Sequence, residues 1–244
     1  HIQPIYQGGD GLMLPLSDPN SPVTYLSELP SFPNPAFRQR ISLAASIDSG
    51  GEALLEFVMP LEGSDGERLV AQIESAPADR VEQLFVQMAN NLFPGAADVT
   101  GFVETSGVDT LLRLELRLPG ACDTSGRTLM ECRGLVIARP LVPALASLPA
   151  REYPLELRLP ITEKVVTEIQ PPSGWTVDRP PRRLQSTWGS LEEELAVDGD
   201  RHRSVMTLEV PARTVSPEEY PAFARFCQAV DELASRPPTL TRTP

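Results

Sequence analysis

The sequence predicts a mainly β fold with a few helices, arranged as two β-sandwich-like domains, and three patterns carry that prediction. Period-two alternation comes first: Ile41, Leu43, Ala45 and Ile47 share one face of an extended run, and Ala53, Leu55, Phe57 and Met59 share one face of the next. Turn residues then interrupt the chain at the short intervals expected of sandwiches. Only two stretches shift to the 3.6-residue period of a helix.

Taken in order, residues 1–36 are dense in Pro, Gly, Ser and Asp without sustained periodicity, and read as an arm lying along a domain surface. Residues 37–140 form the first expected domain. Its two alternating runs meet at Asp48-Ser49-Gly50-Gly51, which predicts a β-hairpin with one buried face. Near residues 77–92 the period changes, with Val81, Leu84, Phe85, Met88 and Leu92 on one side and Pro94-Gly95 ending the run. This predicts an amphipathic helix packed on a sheet, the α+β element of the first domain. Strand patterns resume over 99–105, at Leu112, Leu114, Leu116 and Leu118, and over 129–137.

A Pro-rich linker over 141–150 is expected to separate this unit from a second sandwich over 151–235. Short strands are predicted at 155–159, 164–169, 175–178, 184–188, 192–197 and 204–210, with Gly174, Gly189 and Asp198-Gly199-Asp200 as turns. Ser216-Pro217-Glu218-Glu219 combines a capping Ser, an early helical Pro and a capping-box Glu. It opens a closing helix with Tyr220, Phe223, Cys227, Val230 and Leu233 along its apolar stripe. Residues 236–244 read as a polar tail.

Composition excludes some functions and leaves others open. A net charge of −12 repels phosphate backbones, so no nucleic-acid partner is expected. The apolar runs are far shorter than the ~20 residues that cross a bilayer as a helix, so no membrane span is expected. No leader segment is visible, but the sequence opens on His1 rather than Met, which leaves export open. Lys164 is the single lysine among 21 basic residues, as in proteins from GC-rich genomes.

No catalytic, cofactor-binding or metal-binding residue is expected from the sequence. His1 and His202 are the only imidazoles, and His202 between Arg201 and Arg203 reads as an exposed hairpin residue. Two His and three scattered Cys give no metal-ligand spacing. Glu192-Glu193-Glu194 and Asp198/Asp200 read as a solvated strand edge and turn. The glycine clusters Gly8-Gly9-Asp10-Gly11 and Gly50-Gly51 lack the strand-before, helix-after context of a phosphate loop. Cys122 and Cys132 flank a turn-like segment, so their α-carbons can reach disulfide distance, although hairpin register can equally hold them apart. Trp175 and Trp188 lie near turns. Exposed on one face they would form a binding platform, whereas the favoured reading is core packing.

Arg151-Glu152-Tyr153-Pro154-Leu155-Glu156-Leu157, then Pro172-Ser173-Gly174-Trp175-Thr176-Val177, then Pro217-Glu218-Glu219-Tyr220-Pro221-Ala222-Phe223 occur in an order that resembles the C-terminal region of bacterial transglutaminase-like proteins beginning with DUF3857, a domain of unknown function. The resemblance runs from about Ile41 to Leu233 and includes the helix and strands around 75–95. It implies β-sandwich material beside a papain-like core whose Cys, His and Asp lie N-terminal to the region resembled. None of those three is matched here, so the resemblance implies a non-catalytic accessory region, periplasmic or extracellular, whose partner is the core of the same polypeptide. The rival expectation is a freestanding module that binds a peptide or a cell-wall glycan.

Overall fold

The computed structural model describes residues 10–12, 26–28, 37–61, 63–106, 109–126, 128–137 and 140–243. Most of the expected arm over 1–36 lies outside them, apart from β1 (Asp10–Leu12) and β2 (Leu26–Glu28), which pair antiparallel. The main chain then runs β3 (Phe37–Ile47), β4 (Ala53–Leu61), α1 (Gly63–Ser75), α2 (Ala78–Leu92), β5 (Ala97–Ser106), β6 (Asp109–Leu118) and β7 (Leu129–Glu131). A 3₁₀ turn at Arg133–Leu135 leads to α3 (Leu141–Leu145), β8 (Leu155–Leu157), β9 (Ile161–Gln170), β10 (Trp175–Asp178), β11 (Arg183–Ser186), β12 (Gly189–Asp198), β13 (Arg201–Val210), β14 (Arg213–Val215), α4 (Tyr220–Ala234) and β15 (Thr239–Arg242).

The mainly β, α+β character is present, but the two expected sandwiches are halves of one sheet. Eight strands lie in the order β11-β12-β13-β9-β3-β4-β6-β5. Neighbours are antiparallel except at the centre, where β3 and β9 run parallel from Phe37 opposite Ile161 to Ser46 opposite Gln170. The expected boundary over 141–150 therefore falls between strands of the same sheet. Period-two patterning fixes which side chains face the core and leaves the neighbouring strand unspecified.

The alternation decides the layers. Ile41, Leu43, Ala45 and Ile47, Ala53, Leu55 and Phe57, and the even-numbered leucines of β6 are all buried on one face. Val165 and Ile169 of β9 continue that face, followed by Met206, Leu208 and Val210 of β13 and Leu191 of β12. Packed against it are α2, α4 and a three-stranded sheet of order β10-β15-β7, in one continuous core. Each fully buried Leu, Phe or Val contributes about 1.5–3 kcal/mol relative to exposure.

Helix α2 matches the predicted amphipathic helix, with Phe85 and Ala89 buried, but Leu92 is exposed and the next residue, Phe93, packs edge-on to Phe57 at 5.6 Å. Its contact with β5 depends on Gly101, where an added Cβ would overlap the Phe85 ring. We expect Gly101→Ala to cost about 1–3 kcal/mol in urea denaturation, as overpacking does. An unchanged midpoint would show that α2 does not bear on β5.

The Asp48-Ser49-Gly50-Gly51 turn forms as predicted: the Asp48 carboxylate accepts the Gly50 and Glu52 N–H groups, and Gly51 takes φ +81°. Ser216 and Glu219 exchange reciprocal hydrogen bonds, Ser216 N–H to Glu219 Oε2 and Glu219 N–H to Ser216 Oγ. That capping box closes the turn just ahead of α4. The helix buries Tyr220, Phe223, Phe226, Cys227, Val230 and Ala234.

Two expectations fail by excess of order. The 141–150 stretch contains α3, whose Leu141 and Val142 N–H groups donate to the Asp231 carboxylate of α4 at 2.6 and 2.9 Å, while Tyr220 Oη donates to Leu148 O. The expected tail over 236–244 contains β15, the central strand of the small sheet, with Leu240 fully buried between β10 and β7.

Candidate functional site

The other face of the eight-stranded sheet carries a shallow groove of about 580 Å³ across its middle. Its floor is part of a cross-strand row: Glu168 of β9, Ala44 of β3, Glu56 of β4, Glu115 of β6 and Thr100 of β5 stand opposite one another in turn, and Arg203 of β13 continues the row beyond the groove. At the usual strand spacing this row is about 24 Å long. Ala44 and Ser46 are small, so the centre is low. Leu54 stands beside them 61% exposed, and Phe102 is 46% exposed further along the same face.

Charge is laid out in pairs across this face of the sheet and its margins. Arg117 donates from Nε to Asp98 Oδ2 at 2.6 Å and from Nη1 to Glu52 Oε2 at 2.9 Å. Those bonds, led by the one to Asp98, raise the guanidinium pKa above its ordinary value. Arg113 bridges Glu56 at 3.7 Å and Glu104 at 3.8 Å, and Arg203 lies 3.4 Å from Glu168. Gln170 donates to Asp200 at 3.0 Å and lies 3.4 Å from Ser46 Oγ. Glu56 and Glu115 face each other directly, an arrangement that costs stability between neighbouring strands. The groove is lined by the charged side chains of Glu56, Glu115, Glu168 and Arg117 and by the small Ala44 and Ser46.

The residues singled out from the sequence lie elsewhere. Cys122 and Cys132 are joined as a disulfide, both buried, and the surrounding backbone ties two distant parts of the chain. Cys122 N–H donates to Gly51 O in the β3–β4 turn, and Cys132 N–H donates to Pro238 O just before β15. Cys227 is buried in α4, and desolvation pushes its thiol up to about 12, which removes it as a nucleophile at neutral pH.

Trp175 and Trp188 are both partly buried and packed against the core, not together on an open face. Trp188 meets Phe223 edge-on at 5.7 Å and carries the Arg213 guanidinium over its ring at 4.1 Å. His202 is not the exposed hairpin residue expected. It is half-buried, with Nε2 3.2 Å from Thr176 Oγ1 and accepting the Val177 N–H at 3.5 Å, and burial lowers its pKa.

Glu192-Glu193-Glu194 is also not a uniformly solvated edge. Strand alternation turns the middle residue inward: Glu193 is buried and binds Arg179 and Arg182. Among the described residues, no group of three His, Cys, Asp or Glu side chains is placed to hold a metal ion, and no helix is long and apolar enough to cross a membrane.

Comparison with known proteins gives a family match to part of the chain. Residues 135–238 match DUF3858, a domain of unknown function with a solved structure, over less than half of the 244 residues. The crystal structure of a protein from Parabacteroides distasonis described as a putative protease is similar at a TM-score of 0.36 and 7% identity, covering 84% of this chain and 99% of that one. No curated protein matches the sequence.

Proposed function

We propose that this chain is a non-catalytic accessory region of an exported bacterial transglutaminase-like protein, and that it lays the open face of its long sheet against the amide-bond-processing core of the same polypeptide. The observation that carries this reading is the asymmetry of the sheet. Among the described residues, one face is closed by two helices and a second sheet, while the other carries side-chain ion pairs around an exposed Leu54 and Phe102. Exposed pairs of this kind contribute about 0–1 kcal/mol each, so they do not explain why the face is kept. Apolar groups within a polar surround are what a partner surface covers.

The motif order from Arg151 to Phe223 supports the transglutaminase-like parent. The Cys122–Cys132 bridge supports export, since disulfides persist in oxidising compartments. The test is carbodiimide footprinting of carboxylates, comparing this chain with the complete product of its gene. Glu56, Glu115 and Glu168 are expected to be modified in the isolated chain and protected in the complete product. Equal labelling, or a gene product without an amide-bond-processing core, overturns the reading.

A further inference from the structure

On the inner face, away from the groove, lies a buried cluster of opposite character. Arg179 donates from Nε and Nη2 to the Glu193 carboxylate, and Arg182 Nε stands 3.6 Å from the same group. Two guanidinium groups thus share one carboxylate that has no exposure to solvent. Arg182 also donates to Ala234 O and Arg236 O at the end of α4, where the helix dipole supplies about half a negative charge. At Glu193 itself, two guanidinium groups meet one carboxylate. Glu163, also buried, stands on the same strand face but does not line this cavity.

Beside these arginines is a cavity of about 20 Å³ lined by Arg179, Arg182, Thr167, Ser204 and Met206, among others. Thr167 and Ser204 are paired across β9 and β13, and each is only 9% exposed. Neither hydroxyl has a hydrogen-bond partner among the described residues. Buried hydroxyls are normally satisfied, and a void needs about 10–15 Å³ to hold a water-sized occupant. The walls therefore offer cations and free O–H donors around space for one small particle.

We propose that a halide-sized monoanion such as chloride binds in this cavity, held by Arg179, Arg182, Thr167 and Ser204. It sits beside the two guanidinium groups that line the cavity and accepts from both hydroxyls. The site stands apart from the groove and does not depend on the accessory-region reading.

The test is thermal unfolding at fixed ionic strength in sodium chloride, bromide and gluconate, gluconate being too large to enter. At ten times the dissociation constant, chloride and bromide are expected to raise Tm by about 3–6 °C over gluconate. Thr167→Val and, separately, Ser204→Ala are expected to shrink that difference, and bromide-soaked crystals to show an anomalous peak between the two arginines. Equal Tm in the three salts overturns the proposal and assigns the cavity to water. A halide effect that persists undiminished in both variants overturns it too, by placing the ion elsewhere. If the variants do not fold, absence of the bromide peak is the overturning result.

Discussion

Replacing Glu193 by Ala lowers stability by about 3–5 kcal/mol, the expected cost of stranding buried charge by removing its partner. For a chain of this length that is a fall in Tm of about 6–20 °C. Two guanidinium groups lose their shared carboxylate at once, and burial has already pushed both down to about 10, which leaves them charged at neutral pH. The neighbouring residue provides the control. Glu192 bridges Arg183 at 3.3 Å, but both side chains are more than half exposed, so Glu192→Ala is expected to change stability by about 1 kcal/mol or less. Parallel urea titrations check the pair. Similar midpoints for the two variants would show that Glu193 carries no special charge.

The second large effect is expected at the C-terminal strand. Leu240→Ala removes a side chain with no solvent exposure from the centre of the small sheet and is expected to cost about 2–5 kcal/mol. Ending the chain after Pro238 should cost more, because β10 and β7 both lose the strand between them. The DUF3858 match stops at residue 238, so a chain cut to that boundary lacks β15. Circular dichroism melting of the full and shortened chains checks this. Equal melting would show that β15 contributes nothing.

β15 was illegible in the sequence for a definite reason. Thr239-Leu240-Thr241-Arg242 offers a single apolar residue just after two prolines, and one residue cannot establish a period. Helix α1 is faint for a similar reason: Gly63, Ser64, Asp65 and Gly66 open it, and its packed side is marked by buried Leu69 and partly buried Ile73. The strands β3, β4, β6 and β13, the hairpin turn at Gly51 and the reciprocal Ser216–Glu219 bonds are readable because each depends on local chemistry, although those bonds close the turn before α4 and the helix itself begins at Tyr220. Pairing of β3 with β9 depends on residues far apart. The groove was hidden for the same reason: Ala44, Glu56, Glu115 and Glu168 lie on four strands, and only the sheet order brings them into one row. Within Glu192-Glu193-Glu194, strand alternation was the available signal that the middle carboxylate turns inward.

The parallel β3–β9 joint also sets an order of assembly. From Phe37 to Ser46, each residue of β3 waits for a partner 124 positions later in the chain, Phe37 for Ile161 and so on along the strand. At ordinary rates of synthesis, about 5–20 residues per second, that interval is roughly 6–25 s. The meander of β3, β4, β6 and β5 is made entirely within it, and during that time β3 is a bare strand edge able to template pairing with another nascent chain. Closure of the molecule is thus a late, long-range event, and the joint that unites the two halves is also where a growing chain is most exposed to a wrong neighbour.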